Sequence, residues 1–249
     1  MELQKDSGIV LRKIPILEAD IAATIYTNSH GKRTLLFKGL KKTKRRSLTA
    51  VEPGSMVDVV YYYNEQKTMY NVKEYSLLYD TISIRNNYQA MITLFLFLEI
   101  VDKTTGHNDP NQTLFRLLKG AIETLPKTSQ YQILILSFIL HYLKITGIYP
   151  DVFHCTVCHK EITSDLYLTE FSLHPYCDAC APNYSFQFLA IVPIIKDIMT
   201  NKFLSLESKH YPLPEINKFI FHILLFIDSY FTIHINSKEL IFNNSIDQK

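Results

Sequence analysis

The sequence has no tryptophan, seven glycines and four cysteines in 249 residues. None of the glycines falls in a phosphate-cradling pattern. Neither a Walker A loop nor G-x-G-x-x-G occurs, so nucleotide hydrolysis and dinucleotide chemistry have no signature here. G-x-S-x-G and H-E-x-x-H are also missing, which removes the serine-hydrolase elbow and the zinc-protease helix. The nearest carboxylate pair, Glu18 and Asp20, shares a strand face but has no companion ligands, and reads as surface. No run reads as a membrane span. Ile133–Leu143 is short and broken by Ser137 and His141, while residues 216–235 carry Lys218, His222 and Asp228. The start has no cleavable signal pattern. The expectation is a non-enzymatic, cytoplasmic chain that does not engage a membrane.

Apolar content of 47% and charge of 20% describe a globular protein that can bury a real core, and the length suits two or three domains. Sixteen tyrosines and fifteen phenylalanines supply the aromatic bulk. The net charge of +2 hides an asymmetry: residues 1–80 hold 13 Lys/Arg against 9 Asp/Glu, and residues 81–249 hold 13 against 15. An anionic partner therefore meets the N-terminal part first.

The four cysteines form two C-x-x-C pairs, Cys155/Cys158 and Cys177/Cys180, with 18 residues between them. Two residues between cysteines let a tight turn aim both thiolates at one point, and a second pair completes a tetrahedron around a metal. Four thiolates leave no open position, so the spacing predicts one structural Zn²⁺. Two disulfides suit a small secreted chain instead. A redox C-x-x-C needs only one pair, and a zinc deaminase needs an upstream H-x-E that is absent. His154, His159 and His174 flank the pairs, either as substitute ligands or as exposed residues beside the turns.

Gly8–Arg12, residues 21–26, Lys32–Lys38, residues 57–62 and residues 68–78 read as five strands. Ile21, Ala23 and Ile25 alternate with Ala22, Thr24 and Tyr26, as in a half-buried strand. Five strands in this span predict a small closed barrel, OB-fold-like or SH3-like. Past residue 80 the period becomes helical. One helix ends near Thr105-Gly106. A second follows Asp109 as N-cap and Pro110 at its first position, and a third runs from Pro126 to Gly147. Residues 185–201 and 213–235 read as two more helices. The expected organisation is α+β: a barrel over 1–80, a helical part over 81–150, a four-cysteine zinc finger inserted at 151–184, further helices over 185–235, and a polar fraying tail over 236–249. Leu94, Leu98, Leu114, Leu118, Leu136, Phe138, Ile139 and Leu143 are expected to be buried with Ile220, Leu224 and Ile227.

Residues 38–46 hold six basic side chains: Lys38, Lys41, Lys42, Lys44, Arg45 and Arg46. So dense a run lies outside regular strand pairing, as a solvated loop or as a phosphate-binding one. Arg12, Lys13, Lys32 and Arg33 sit on neighbouring strand ends and complete the candidate DNA-binding set. Tyr26, Phe37, Tyr61, Tyr62 and Tyr63 are candidate stacking faces, although alternation commits about half of them to the barrel interior.

The order of these features resembles the RecO family of recombination mediators. It is carried by Gly8-Ile-Val-Leu-Arg12, Glu18-Ala-Asp20, Thr27-Asn-Ser-His-Gly31-Lys32, and Lys38-Gly39 followed by basic residues and Ser47. Farther on it is carried by Pro110-Asn-Gln-Thr-Leu-Phe115 and by Gly147-Ile-Tyr-Pro150 leading into Cys155-x-x-Cys158. The chain departs from the family where His159 replaces a frequent glycine and where His174-Pro-Tyr precedes Cys177. Both differences bear on turn geometry and not on the ligands. The resemblance implies a nucleoid-associated protein without an enzymatic reaction. Such a protein binds single- and double-stranded DNA, anneals complementary strands, contacts the tail of single-strand-binding protein through its helices, and works with a RecR-type partner to load the recombinase. A zinc-containing RNA- or ribosome-associated barrel is the alternative, and an enzyme using the finger as scaffold is a third.

Overall fold

Strand β1 (Glu2–Pro15) is long because it serves two neighbours in the computed structural model, which describes residues 2–16, 18–42, 48–149, 151–201 and 203–242. Its first half, Glu2 to Ile9, runs antiparallel to β4 (Met56–Tyr63), and Gly8 to Pro15 pairs with β2 (Ile21–Thr27). Gly8 belongs to both pairings. A Cβ there would lie 2.3 Å from Ile25 Cγ2, so only glycine fits where the strand changes partner. β2 forms a hairpin with β3 (Gly31–Phe37), and β4 pairs antiparallel with β5 (Met69–Tyr79). Thr34–Leu36 of β3 run parallel to Met69–Asn71 of β5 and complete a closed five-stranded barrel of order β1-β2-β3-β5-β4.

Inward-pointing Ile21, Ala23, Ile25, Val57, Val59 and Tyr61 fill the barrel. The outer face of β2 is not the polar face its alternation suggested, because all seven of its residues are buried. Helix α1 (Tyr88–Thr104) packs on the neighbouring β1, and Asp109 and Asn111, beyond its C-terminus, lie beside Tyr26 of β2. The side chain of Asn87 caps α1 by accepting from Ala90 N at 3.0 Å. Helix α2 (Gln112–Thr124) is capped not by Asp109 but by Asn111, which accepts from Leu114 N at 2.9 Å. Asp109 has another position: its backbone lies against Gly31, where a Cβ would come within 2.5 Å of it, at a φ of +69°. The α1–α2 connection is thereby seated on the β2–β3 turn.

The chain divides into two compact units, Met1–Lys127 and Thr128–Lys249. The boundary falls inside the stretch expected to be one helical part, and α1 and α2 belong to the barrel's unit. In the second unit α3 (Tyr131–Ile145) packs on α4 (Ile191–Thr200), on the short α5 (Phe203–Leu206) and on α6 (Leu213–Phe231). α3 begins after Pro126, which lies in a separate 3₁₀ turn, Leu125–Lys127. The expected helix over 185–201 is a strand followed by a helix. β7 (Phe186–Phe188) pairs antiparallel with β6 (Leu166–Leu168), and Ala190, at a φ of +47°, turns the chain into α4. Part of the expected fraying tail is ordered. Helix α7 (Ser237–Phe242) returns to α6, where the buried Lys238 ammonium pairs with Asp228. The eleven apolar positions expected to be buried are none more than 2% exposed. The whole is mixed α+β, and no helix among the described residues is long and apolar enough to cross a membrane.

Candidate functional site

The four cysteines converge. The Sγ atoms of Cys155, Cys158, Cys177 and Cys180 all lie within 4.8 Å of one another, and none is in a disulfide. Two turns aim them. His159 N donates to Cys155 O at 2.9 Å across the first pair, and Cys180 N donates to Cys177 O at 3.1 Å across the second. Thr156 clamps the turns together, its N and Oγ1 donating to Pro175 O at 2.8 and 2.9 Å. β6 adds a brace, with Tyr167 donating from its hydroxyl to Asp178 Oδ1 at 3.0 Å.

Four sulfurs about 2.3 Å from a central metal stand about 3.8 Å apart at the corners of a tetrahedron. The Cys158–Cys177 separation is 3.7 Å. Burial pushes the Cys155 thiol up, but backbone N–H groups of residues 158, 177 and 157 outweigh it and bring the thiol down to about 6. Cys180 shifts the other way, raised by hydrogen bonds to the neighbouring cysteine sulfurs and by the charge at Cys155. The cluster thus favours the thiolate at Cys155 and disfavours it at Cys180, an opposition that a bound cation would relieve. The donor set fits a metal ion held by four sulfurs. No histidine joins it among the described residues; His154 is tied to Asp151 by a 2.7 Å bond, and His159 and His174 are exposed.

The basic side chains expected on the barrel fall into three groups. Arg12, Lys13 and Lys32 have acidic partners. Arg12 Nε meets Asp102 Oδ2 at 2.8 Å, and Lys13 Nζ meets Glu52 Oε1 at 2.5 Å. Lys32 is 7% exposed, with its ammonium on the Asp102 carbonyl and 3.5 Å from the same carboxylate. Arg33, 5% exposed, sits against the rings of Tyr63 and Tyr70. Lys38, Lys41 and Lys42 lie where the chain leaves β3. Asp20 accepts from Gly39 N at 2.8 Å and Lys41 N donates to Ala19 O at 3.1 Å, so this exit is pinned to the β1–β2 connection. Lys41 and Lys42 are exposed, and Lys42 stands 3.7 Å from the equally exposed Glu18. Lys44, Arg45 and Arg46 lie outside the described residues.

Of the five rings expected to offer stacking faces, Tyr26, Phe37 and Tyr61 are core residues at most 3% exposed. Burial pushes the Tyr26 and Tyr61 phenols up to about 12, so both remain neutral. Tyr62 and Tyr63 are half-buried. The sequence did not reveal Asp102 as the counter-charge to two barrel cations, because it is 90 residues from Arg12 and 70 from Lys32.

Two family models match the chain: Recombination protein O N terminal over residues 1–80 and Recombination protein O C terminal over residues 85–227. Among its relatives, the DNA repair protein RecO of Bifidobacterium longum is 33% identical over 183 residues, covering 72% of this chain and 74% of its own. Those of Leptospira biflexa and Prosthecochloris aestuarii are 23% and 24% identical, covering 82% and 75% of this chain and 82% and 67% of theirs. Similarity to a solved asparaginyl-tRNA synthetase of Entamoeba histolytica has a TM-score of 0.28 at 12% identity over 70% of this chain and 39% of that one, which is too low to bear on the fold. With both family models in sequence order and together spanning most of its length, this chain belongs to the RecO family of DNA repair proteins.

Proposed function

We propose that the protein binds single- and double-stranded DNA through the basic run that leaves the barrel after β3, and that it anneals complementary strands and helps load the recombinase. The observation that supports this reading is how the start of that run, up to Lys42, leaves β3. Its first turn is fixed by Asp20 and Ala19, and Lys41 is exposed with no carboxylate partner among the described residues. A cluster on a fixed base can neutralise phosphates of any sequence and screen the repulsion between two strands, leaving base pairing to choose the partner. The barrel order β1-β2-β3-β5-β4, with a parallel β3–β5 seam, supports an OB-fold, a frequent single-strand binder. Membership in a DNA repair family supports the repair role, with the tail of single-strand-binding protein and a RecR-type protein as partners. The four-sulfur cluster is read as a structural Zn²⁺ finger with no open coordination position.

The test is strand annealing with complementary oligonucleotides coated with single-strand-binding protein. Replacing Lys42, Arg45 and Arg46 together by alanine is expected to lower the salt slope on a single strand by about 2, roughly 0.7 for each phosphate no longer neutralised. Annealing should fall in parallel for every sequence. Unchanged slope and annealing would reduce the run to a solvated loop, and a preference for ribose strands would favour an RNA-binding role.

A further inference from the structure

Among the described residues, Arg33 is a buried cation that no carboxylate pairs with. Its guanidinium carbon lies 5.0 Å from the centre of the Tyr63 ring and 5.3 Å from that of Tyr70, and Nη1 donates to the Tyr70 hydroxyl at 3.1 Å. Nε is buried with no hydrogen-bond partner. Lys32, the adjacent residue, is neutralised by Asp102. Buried charges are as a rule paired, so a 5%-exposed Arg33 with aromatic neighbours alone is an arrangement that an anion would complete.

A place for that anion exists. Arg33 lines a pocket of about 470 Å³ at the parallel β3–β5 seam, within the volume range of small-ligand sites. Lys67 stands on the β4–β5 turn at its rim, exposed and without an ion-pair partner among the described residues. Met69, 37% exposed, forms an apolar wall, with Tyr70 turned to the opposite face of the strand at 4% exposure, and His107 and Asn108 of the α1–α2 connection close another side. That side is fixed, since Asn108 N donates to Lys32 O at 3.3 Å. Glu65 is the only carboxylate in the lining among the described residues, against the unpaired charges of Arg33 and Lys67.

We infer that this pocket seats one nucleoside monophosphate unit, with the phosphate against Arg33 and Lys67 and the base on Met69. A bare inorganic anion would leave that wall uncovered, whereas a nucleotide presents charge and a flat apolar face together. Tyr63 and Tyr70 hold the guanidinium in orientation, so little side-chain freedom is lost on binding. The unit is either a free nucleotide or one residue of a strand. Only in the second case does the inference rest on the nucleic-acid reading above.

The Met69 methyl signal, one of five methionine signals in the chain, reports on the pocket wall directly. Thymidine 5′-monophosphate, inorganic phosphate and a short thymidine oligonucleotide are titrated against the full chain. The Arg33→Gln, Lys67→Ala and paired Lys41→Ala/Lys42→Ala variants are treated in the same way. The mononucleotide should shift Met69 saturably and more tightly than phosphate does. Arg33→Gln should weaken that binding about tenfold or more, as expected for loss of a charge-assisted hydrogen bond. Lys67→Ala, on an exposed turn, should weaken it several-fold and serves if Arg33→Gln fails to fold. The Lys41/Lys42 pair should leave mononucleotide binding intact. A Met69 shift seen only with the oligonucleotide, and abolished in Lys67→Ala and Arg33→Gln, identifies the unit as part of a strand. Oligonucleotide binding that depends on Lys41 and Lys42 but not on Arg33 or Lys67, with an unshifted Met69, overturns the pocket and leaves the basic run standing. If the oligonucleotide does not bind at all, the nucleic-acid reading fails and the mononucleotide titration alone decides the pocket. Equal shifts by phosphate and mononucleotide would overturn the base-binding part.

Discussion

The barrel and the cysteine loop are held together by opposite means. The barrel closes on itself through five strands and fills its interior with side chains such as Ile25, Leu35, Val59 and Tyr61, all 0% exposed. Between Asp151 and Ser185 there is one three-residue strand, and few apolar residues are buried: Val152, Ile162, Leu166, Leu168 and Leu173 are the aliphatic ones. Fully burying one such side chain is worth about 1.5–3 kcal/mol, and a handful cannot offset the backbone entropy of some 35 residues at about 1–2 kcal/mol each. The difference teaches where ligation is needed. The barrel's order is a property of its chain, whereas a metal ion held by the four sulfurs would supply the order that the loop's sparse core does not.

The most disruptive way to separate the two is to remove one sulfur. Cys158→Ser is expected to release the metal and unfold the loop, because apparent binding energies of about 10–16 kcal/mol for structural Zn²⁺ are folding energy. The barrel should keep its strand signal and its own melting transition. Elemental analysis together with circular dichroism checks both halves of the statement. A metal-free variant that keeps a folded loop would show that the loop does not depend on ligation.

The barrel's counterpart to a cysteine is Asp102 on α1, which holds Arg12 and the buried Lys32. Removing one partner of a buried pair strands the other, at a cost of about 3–5 kcal/mol. Asp102→Ala should lower the denaturant midpoint of the first unit by an amount of that order, with the metal content unchanged. A loss below about 1 kcal/mol would place the Lys32 ammonium in water, against its 7% exposure.

The same contrast explains what could be read in advance. The loop's geometry is local: two residues between each pair of cysteines dictate convergence, and the four converging positions follow from spacing alone. The barrel's strands and the eleven buried positions were legible from their periods of two and 3.6. Long-range partners were not. Nothing near Arg12 or Lys32 in sequence points to Asp102, and Arg33 reads as one more surface cation until Tyr63 and Tyr70 are seen around it. The β7 strand was missed because Phe186 and Phe188 have their period of two for three residues only, and the partner β6 is 20 residues away. Asp109 looked like a cap because caps are recognised by type, and Asn111 two residues on is equally good.

Acid sharpens the comparison from the loop's side. His222 of α6 is 5% exposed and donates through Nε2 to Ser172 O at 2.9 Å, joining the cysteine loop to the helix. Burial holds its imidazole below the usual 6.5. As pH falls through about 6.5, the unfolded chain takes up a proton that the folded chain refuses. Stability contributed above that pH is therefore lost on acidification toward the folded value, at no more than about 1.4 kcal/mol per pH unit for this group. The second unit should lose stability as pH falls below about 6.5 in the metal-loaded protein, and His222→Gln should flatten that slope while the first unit's profile is unaffected. An unaltered slope would assign the acid response to other groups.

The smallest expected effect is a gain. His159 closes the first cysteine turn at a φ of +56°, in the left-handed region, and its N–H bonds Cys155 O at 2.9 Å. A side chain in that conformation costs about 1–2 kcal/mol through the approach of Cβ to the carbonyl oxygen. Glycine removes this clash and keeps the backbone donor, but it frees the unfolded chain by about 0.5–1 kcal/mol. The net expectation for His159→Gly is a gain of about 0.5–1 kcal/mol, read as slower metal release to a chelator and a slightly higher melting temperature of the second unit. The imidazole is exposed and outside the sulfur cluster, so its removal should not change the metal stoichiometry. A loss of stability would mean that the histidine contributes more to the turn than its backbone strain removes. In that case the loop would draw on its own side chains, as the barrel does.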